Sequence, residues 1–140
     1  MRLNIGYKLA ENKNGKWTSV NCVKTKKTQL TYKLNETTTP ICGKLFIFKT
    51  LKEAEEYKDS FFEHREFAIF QGIAQNKKES ALTFSLGWTG MVNNLCEFWT
   101  KVNSGTIITR NDVERYFYSS CALPKKTWLC DTFKPLKRIA

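Results

Sequence analysis

The ten residues 45–54, LFIFKTLKEA, join a short apolar run to a helix start and decide the fold class. The four bulky residues 45–48 predict a strand buried on both faces of a sheet. Thr50 comes directly before the helical pattern, and Glu53 follows three residues later. This spacing predicts a capping box, in which the Thr50 hydroxyl and the Glu53 carboxylate each accept a hydrogen bond from the other residue's amide.

The helix after Thr50 has one apolar and one acidic side. Apolar side chains recur at spacings of three and four residues, at Leu51, Ala54, Tyr57 and Phe61. This is the pattern of a helix packed on a core. The acidic side chains between them predict a solvent-facing surface rather than a carboxylate active site, because Asp and Glu also stabilise helix N-termini.

Alternating apolar residues predict strands before this helix. Residues 2–9 alternate in part, and residues 17–23 follow as a return strand. Between them, Asn14-Gly15 predicts a tight hairpin turn, because both residue types tolerate positive φ. Residues 30–33 alternate again and predict a third strand.

The rest of the chain predicts further strands and one or two helices. Residues 90–102 carry an apolar stripe at helical spacing. Residues 105–120 stay open, because Asn111 and Glu114 indicate only a short helix start. The strands expected here are 67–70, 127–130 and 132–139, the last interrupted by Pro135 and therefore at a sheet edge. The pattern predicts a single α+β domain over residues 1–140, a mainly antiparallel sheet with two or three helices packed on it.

The composition excludes several protein classes. Of 140 residues, 41% are apolar, and 23 Lys and Arg against 13 Asp and Glu give a formal net charge of +10. That apolar fraction is too high for a disordered chain. No apolar run approaches the ~20 residues of a membrane span, and none near the N-terminus fits a signal peptide. We expect a cytoplasmic protein without a membrane partner, and reduced thiols for its cysteines.

Motifs for catalysis and metal binding are missing from the sequence. His64 is the one histidine, and the five cysteines lack the CxxC spacing of zinc sites. No phosphate-binding glycine loop, HExxH or GxSxG motif occurs. We expect no catalytic residue, no metal and no cofactor. A nucleotide hydrolase that uses Asp112, Glu114 and Asp131 stays an alternative, although the first two also suit a helix start.

Cationic and aromatic side chains are mixed in the C-terminal half, as a nucleotide pocket requires. A base stacked on an aromatic ring gains roughly 1–3 kcal/mol, and the planar Arg guanidinium donates two hydrogen bonds to a phosphate. Taken singly, each aromatic residue is better explained by core packing and each arginine by a surface position. The candidate ligand-binding residues are Trp88, Phe98, Trp99, Arg110, Asn111 and Arg115.

The positive charge also permits nucleic-acid binding. It amounts to +8 in residues 1–50 and +5 in residues 67–140, with −3 between them in residues 51–66. No predicted helix gathers Lys and Arg on one side, so we favour a small phosphorylated ligand over DNA or RNA. A basic factor that binds nucleic acid or a host protein stays the alternative function.

Several segments resemble a family of small phage proteins. They are GYKL at 6–9, TYK at 31–33, GKLFIFKTLKEA at 43–54, PKKTWLCD at 124–131 and KPLKR at 134–138. In this order they are similar to the phage Thoeris anti-defence sponges of the first type. The chain departs from the family pattern at Lys126 and Trp128, where Gly and Val are expected.

The resemblance implies binding without catalysis. Members of this family bind cyclic ADP-ribose isomers made by bacterial TIR proteins and sequester the signal intact, and some also hold cyclic oligonucleotides. They form oligomers built from dimers, with ligand near subunit contacts. We therefore expect a homo-oligomer that sequesters a cyclic nucleotide signal in the cytoplasm of an infected bacterium. The family's ligand residues do not transfer securely to positions of this chain.

Overall fold

The fold is taken from a computed structural model, which describes residues 3–19, 30–40, 42–59, 66–79, 84–86, 92–117, 120–122 and 127–140. These residues form nine strands and three helices. The strands are β1 (Leu3–Lys13), β2 (Lys16–Ser19), β3 (Leu45–Phe48), β4 (Phe67–Gln75), β5 (Lys78–Glu79), β6 (Phe84–Leu86), β7 (Ser120–Ala122), β8 (Thr127–Cys130) and β9 (Thr132–Arg138). The helices are α1 (Leu51–Asp59), α2 (Val92–Asn103) and α3 (Arg110–Phe117).

An antiparallel sheet of seven strands forms the centre of the fold. Six strands follow the order β5-β8-β3-β1-β4-β9, and β2 pairs with the C-terminal part of β1. β1 and β4 form the longest pairing, from Leu3 opposite Gln75 to Glu11 opposite Phe67. β6 and β7 form a separate two-stranded sheet. Together with the helices this is an α+β fold, and the predicted fold class is confirmed.

One face of the sheet is covered by helices. The buried cluster beneath α1 consists of Leu9, Phe48, Ala54 and Ile69. The rings of Phe48 and Tyr57 lie 5.4 Å apart, and those of Phe46 and Trp99 lie 5.7 Å apart. Because Phe46 and Phe48 are two residues apart in β3, they lie on the same face. α1 and α2 therefore pack on one side, which we call the helix face.

The opposite face is covered by an irregular segment, residues 30–40. The buried cluster there consists of Ala10, Tyr32, Leu45, Ile47, Ala68, Phe70, Ala74, Cys130 and Phe133. The Tyr32 amide donates to the Trp17 carbonyl at 2.8 Å, and Thr38 and Phe133 exchange hydrogen bonds of 2.8 and 3.1 Å. Tyr32 is thereby buried against the sheet. We call this side the loop face.

The hairpin turn and the first helix start are confirmed. Asn14 and Gly15 have φ angles of 55° and 82°, as the predicted turn requires. The Glu53 amide donates to the Thr50 hydroxyl at 3.3 Å, and α1 begins at the next residue after Thr50. β3 has the predicted bounds, Leu45–Phe48.

The third strand predicted over residues 30–33 is wrong. Within the described residues of this segment, Thr31 makes an isolated bridge to Thr18 and no ladder continues from it. Leu30 and Tyr32 alternate because both pack down onto the loop face. An irregular segment that turns every second side chain inward has the same two-residue apolar period as a β-strand. The sequence pattern therefore does not distinguish such a segment from a strand.

α3 begins earlier than the sequence pattern indicates. The predicted start used Asn111 and Glu114, whereas the helix is capped by Thr109 and Asp112. The Asp112 amide donates to the Thr109 hydroxyl at 3.3 Å. In return, the Asp112 carboxylate accepts from the amides of Ile108 and Thr109 at 3.0 and 2.9 Å. A capping box two residues upstream therefore sets the helix.

The last strand lies at the predicted sheet edge. β9 is the last strand in the order of the sheet. The register of its pairing with β4 shifts at a bulge between Gln71 and Gly72. Pro135 pairs opposite Gly72, and its carbonyl accepts from the Asn35 amide at 2.7 Å. The missing N–H of proline is tolerated because an edge strand needs donors on one side only.

Cys42 and Cys96 form a disulfide, which corrects the expectation of reduced thiols for this pair. Their Cα atoms lie 5.4 Å apart across a sequence separation of 54, within the usual range for a bridge. Packing of α2 brings them together, so no local spacing indicates the pair. Cys130 is a free, buried thiol, and burial raises its pKa to about 12.

Candidate functional site

The aromatic residues proposed from α2 lie in the core. Phe98 and Trp99 are 1% and 4% exposed, and their rings stack at 5.3 Å. The backbone of Gly43 lies against the Trp99 ring so closely that an added Cβ would overlap it. Phe46 contacts the same ring. Both side chains are therefore enclosed by protein in this structure.

The polar residues proposed from α3 lie at the surface. Arg110, Asn111 and Arg115 are exposed, and Arg110 Nε donates to Glu114 Oε1 at 3.1 Å. Trp88 lies outside the described residues. Of the five described candidates, the three polar residues share helix α3, whereas the two aromatic rings are buried in the core. Their role in ligand binding stays a prediction.

The three carboxylates of the alternative hydrolase have structural contacts. Asp112 caps α3, and the amides of Ile108 and then Thr109 hold the pKa of its carboxyl below the usual value. Asp131 pairs with Lys44 and accepts from Asn76 Nδ2 at 2.6 Å, and these contacts, Lys44 first, lower its pKa. In the part of the chain that the structure describes, no three His, Cys, Asp or Glu side chains gather as a metal site would require.

A pocket of about 350 Å³ opens on the loop face, between β2, the covering segment and the end of β9. We call it the Trp17 pocket. Its lining residues are Gly15, Lys16, Trp17, Thr31, Tyr32, Lys33, Leu34, Phe70 and Arg138. This set combines aromatic rings with three cations, and it contains no acidic residue.

The aromatic walls of the Trp17 pocket are fixed by ring contacts. Trp17 meets Phe70 edge-on at 5.9 Å, and Tyr32 meets Phe133 edge-on at 6.4 Å. Leu34 stands at the rim with 49% of its surface exposed. The pocket therefore offers rigid apolar surface to a ring-bearing ligand.

Arg138 is held in place beside Trp17. Its guanidinium carbon lies 4.8 Å from the centre of the Trp17 ring, and its Nε donates to the Ala140 carbonyl at 3.0 Å. The chain after Arg138 is in turn fixed to β4, because the Ile139 amide donates to the Ile69 carbonyl at 2.7 Å. A guanidinium fixed through Nε still presents its outer edge to an anion.

A buried cation lies next to this pocket. Lys8 is 9% exposed, its Nζ donates to the Phe46 carbonyl at 2.6 Å, and the same atom lies 5.6 Å from the centre of the Tyr32 ring. Tyr32 lines the pocket, whereas Lys8 is not one of its lining residues. The three lining cations Lys16, Lys33 and Arg138, together with Lys8 near Tyr32, therefore favour an anion at this pocket.

No local pattern in the sequence indicates that these residues form a site. Phe70 is the direct cross-strand neighbour of both Lys8 and Arg138. These three residues belong to strands that are far apart in the sequence. The visible signal was a cation beside an aromatic residue directly after the hairpin turn, Lys16-Trp17. The partner strands could only be assigned once the order of the sheet was known.

Comparisons with known proteins identify no relative of this chain. No family model, curated protein or solved structure matches this chain. Among the described helices, none is long and apolar enough to cross a membrane.

Proposed function

We propose that this protein binds a small phosphorylated nucleotide signal and holds it without converting it. The observation that carries the proposal is the Trp17 pocket, where aromatic walls meet three cations. Rings suit a base, and cations suit phosphates. Its volume of about 350 Å³ lies near the lower end of ligand pockets, ~300–1,000 Å³, which favours one nucleotide-sized ligand over a longer chain.

The resemblance to phage sponges supports the particular ligand class. It points to cyclic ADP-ribose isomers, whose single base and two phosphates match the chemistry of the pocket. A sponge acts by mass action, since every bound signal molecule is withdrawn from its receptor. The proposal therefore includes tight binding, intact release and action in the cytoplasm of an infected bacterium. Assembly as a homo-oligomer built from dimers is part of the same proposal.

Retention followed by mass analysis tests the proposal. The protein is incubated with cyclic ADP-ribose isomers, cyclic oligonucleotides and mononucleotides, separated from free ligand, and then heat-denatured. We expect one class to be enriched at about one molecule per site and recovered with unchanged mass. Recovery of a cleaved product would instead support an enzyme, and recovery of nothing at micromolar protein would refute the proposed function.

A basic factor that binds nucleic acid or a host protein is the second candidate. Lys49 and Lys77 lie with Nζ 5.4 and 4.1 Å from the centre of the Trp128 ring, next to β8 near one edge of the sheet. Such a cluster would contact phosphates of DNA or RNA through charge. This function predicts that affinity for a short duplex falls steeply between about 50 and 200 mM salt. Weak binding at both salt concentrations would exclude a nucleic-acid partner.

A further inference from the structure

Three side chains of the loop face form a row across the sheet. Lys8, Phe70 and Arg138 are direct neighbours on β1, β4 and β9. The middle residue is aromatic, and the outer two carry positive charge. Phe70 and Arg138 line the Trp17 pocket, whereas Lys8 does not line it and has its Nζ 5.6 Å from the centre of the lining Tyr32 ring. The row therefore places one cation in the lining of the pocket and a second one next to two of its lining residues, Phe70 and Tyr32.

The charge of Lys8 is neutralised only in part by its known contacts. Its Nζ donates to one carbonyl, that of Phe46, and lies near one aromatic ring. Among the described residues no carboxylate pairs with it. A buried cation without an opposite charge costs free energy, and an anion bound nearby would lower that cost. The Trp17 pocket has cationic walls, and Tyr32, whose ring lies near Lys8 Nζ, is one of its lining residues.

We propose that the Trp17 pocket takes a ring-bearing diphosphate, with the ring against Trp17 and Leu34 and the phosphates at Arg138, and that buried Lys8 favours two phosphates over one. This inference rests on the proposed function and assigns the site and the ligand class. It explains the 49% exposure of Leu34, which a bound ring would cover.

Physical reasons connect each residue to this preference. A fixed charge behind an apolar wall attracts a ligand in proportion to the ligand's own charge, and solvent screens it less there than at the surface. Arg138 is oriented in advance by the Ala140 carbonyl, so less rotamer entropy is lost when a phosphate binds. Lys8 acts through the field and not by contact, which makes it a positioning residue for the anion.

Calorimetric titration with adenosine, AMP and ADP separates these roles at constant ionic strength. We expect the wild type to bind ADP at least tenfold more tightly than AMP, and adenosine most weakly. K8M removes the charge and keeps an unbranched apolar side chain. It should lower ADP affinity by about three- to tenfold and narrow the ratio of ADP to AMP affinity. The matched control K52M removes an exposed lysine of α1 on the helix face and should leave both affinities unchanged.

A second variant keeps the inference testable if K8M does not fold. R138Q should lower ADP affinity at least tenfold while adenosine affinity changes less than twofold, and circular dichroism checks that both variants are folded. Equal ADP binding by the wild type, K8M and R138Q would overturn this site assignment. Binding of cyclic ADP-ribose with the same affinity by the wild type, K8M and R138Q would overturn the roles of Lys8 and Arg138 and leave the proposed function standing. Failure of every nucleotide to bind would refute both.

Discussion

At the residue scale, single positions of the loop and helix faces have separable roles. Gly43 is required by space and by backbone angle together, because its φ is +77° and the Trp99 ring lies against it. Gly15 has a similar φ of +82° with nothing within 4 Å. These two glycines therefore distinguish the cost of a backbone conformation from the cost of overpacking.

We expect G43A to destabilise the protein by about 2–4 kcal/mol, because strain and overlap with Trp99 add. The matched variant G15A should cost about 1 kcal/mol, since only the left-handed backbone is affected. Urea unfolding of both variants measures the difference. An equal loss of unfolding free energy in both variants would mean that the Trp99 ring moves aside freely and that α2 packs loosely against Gly43.

A pH dependence follows from Asp112, the carboxylate that caps α3. Its folded pKa is lowered, first by the Ile108 amide and then by the Thr109 amide. The stabilisation is therefore present above the usual Asp value of about 3.9 and is lost as the pH falls through the lowered folded pKa. The free energy of unfolding of the wild type should exceed that of D112N at pH 6.

The difference between wild type and D112N should begin to shrink below about pH 4, where the carboxyl of the unfolded chain protonates, and should vanish below the lowered folded pKa. E56Q, which alters an exposed carboxylate of α1, controls for the loss of one negative charge. A difference that stays constant down to the lowest pH would show that the charge of Asp112 does not stabilise the helix start.

At the scale of elements, local signals predicted what depends on neighbours in the chain. The turn at Asn14-Gly15 and the helix cap at Thr50 follow from a few adjacent residues, and both are confirmed. Tyr32 shows the limit, because its inward packing imitates a strand. The aromatic residues of α2 show a second limit. The same apolar stripe is compatible with core packing and with ligand binding, and only the burial of the side chains distinguishes the two.

The disulfide between α2 and the segment before β3 is a long-range constraint that no local spacing in the sequence indicates. It closes a separation of 54 residues, and a bridge of this kind typically contributes about 2–4 kcal/mol. We expect a phosphine reductant to lower the free energy of unfolding by that amount. The double variant C42S/C96S should already be less stable and should not respond to the reductant. If the reductant left the free energy of unfolding of the wild type unchanged, this would contradict a stabilising disulfide between Cys42 and Cys96.

At the scale of the whole molecule, the sheet presents two different surfaces. The helix face holds Phe98 and Trp99 in a closed core, whereas the loop face leaves an opening beside Trp17. The net charge of +10 attracts anions to the surface in general. Cross-strand order then places Arg138 at this opening beside Trp17, which no stretch of sequence shows by itself.

The most direct test of the account is a crystal structure of the protein with bound cyclic ADP-ribose. We expect density for the intact ligand in the Trp17 pocket, with the base against Trp17 and the diphosphate within hydrogen-bond distance of Arg138. Ligand density at α3 near Arg110 and Arg115, or a cleaved product in the pocket, would contradict it.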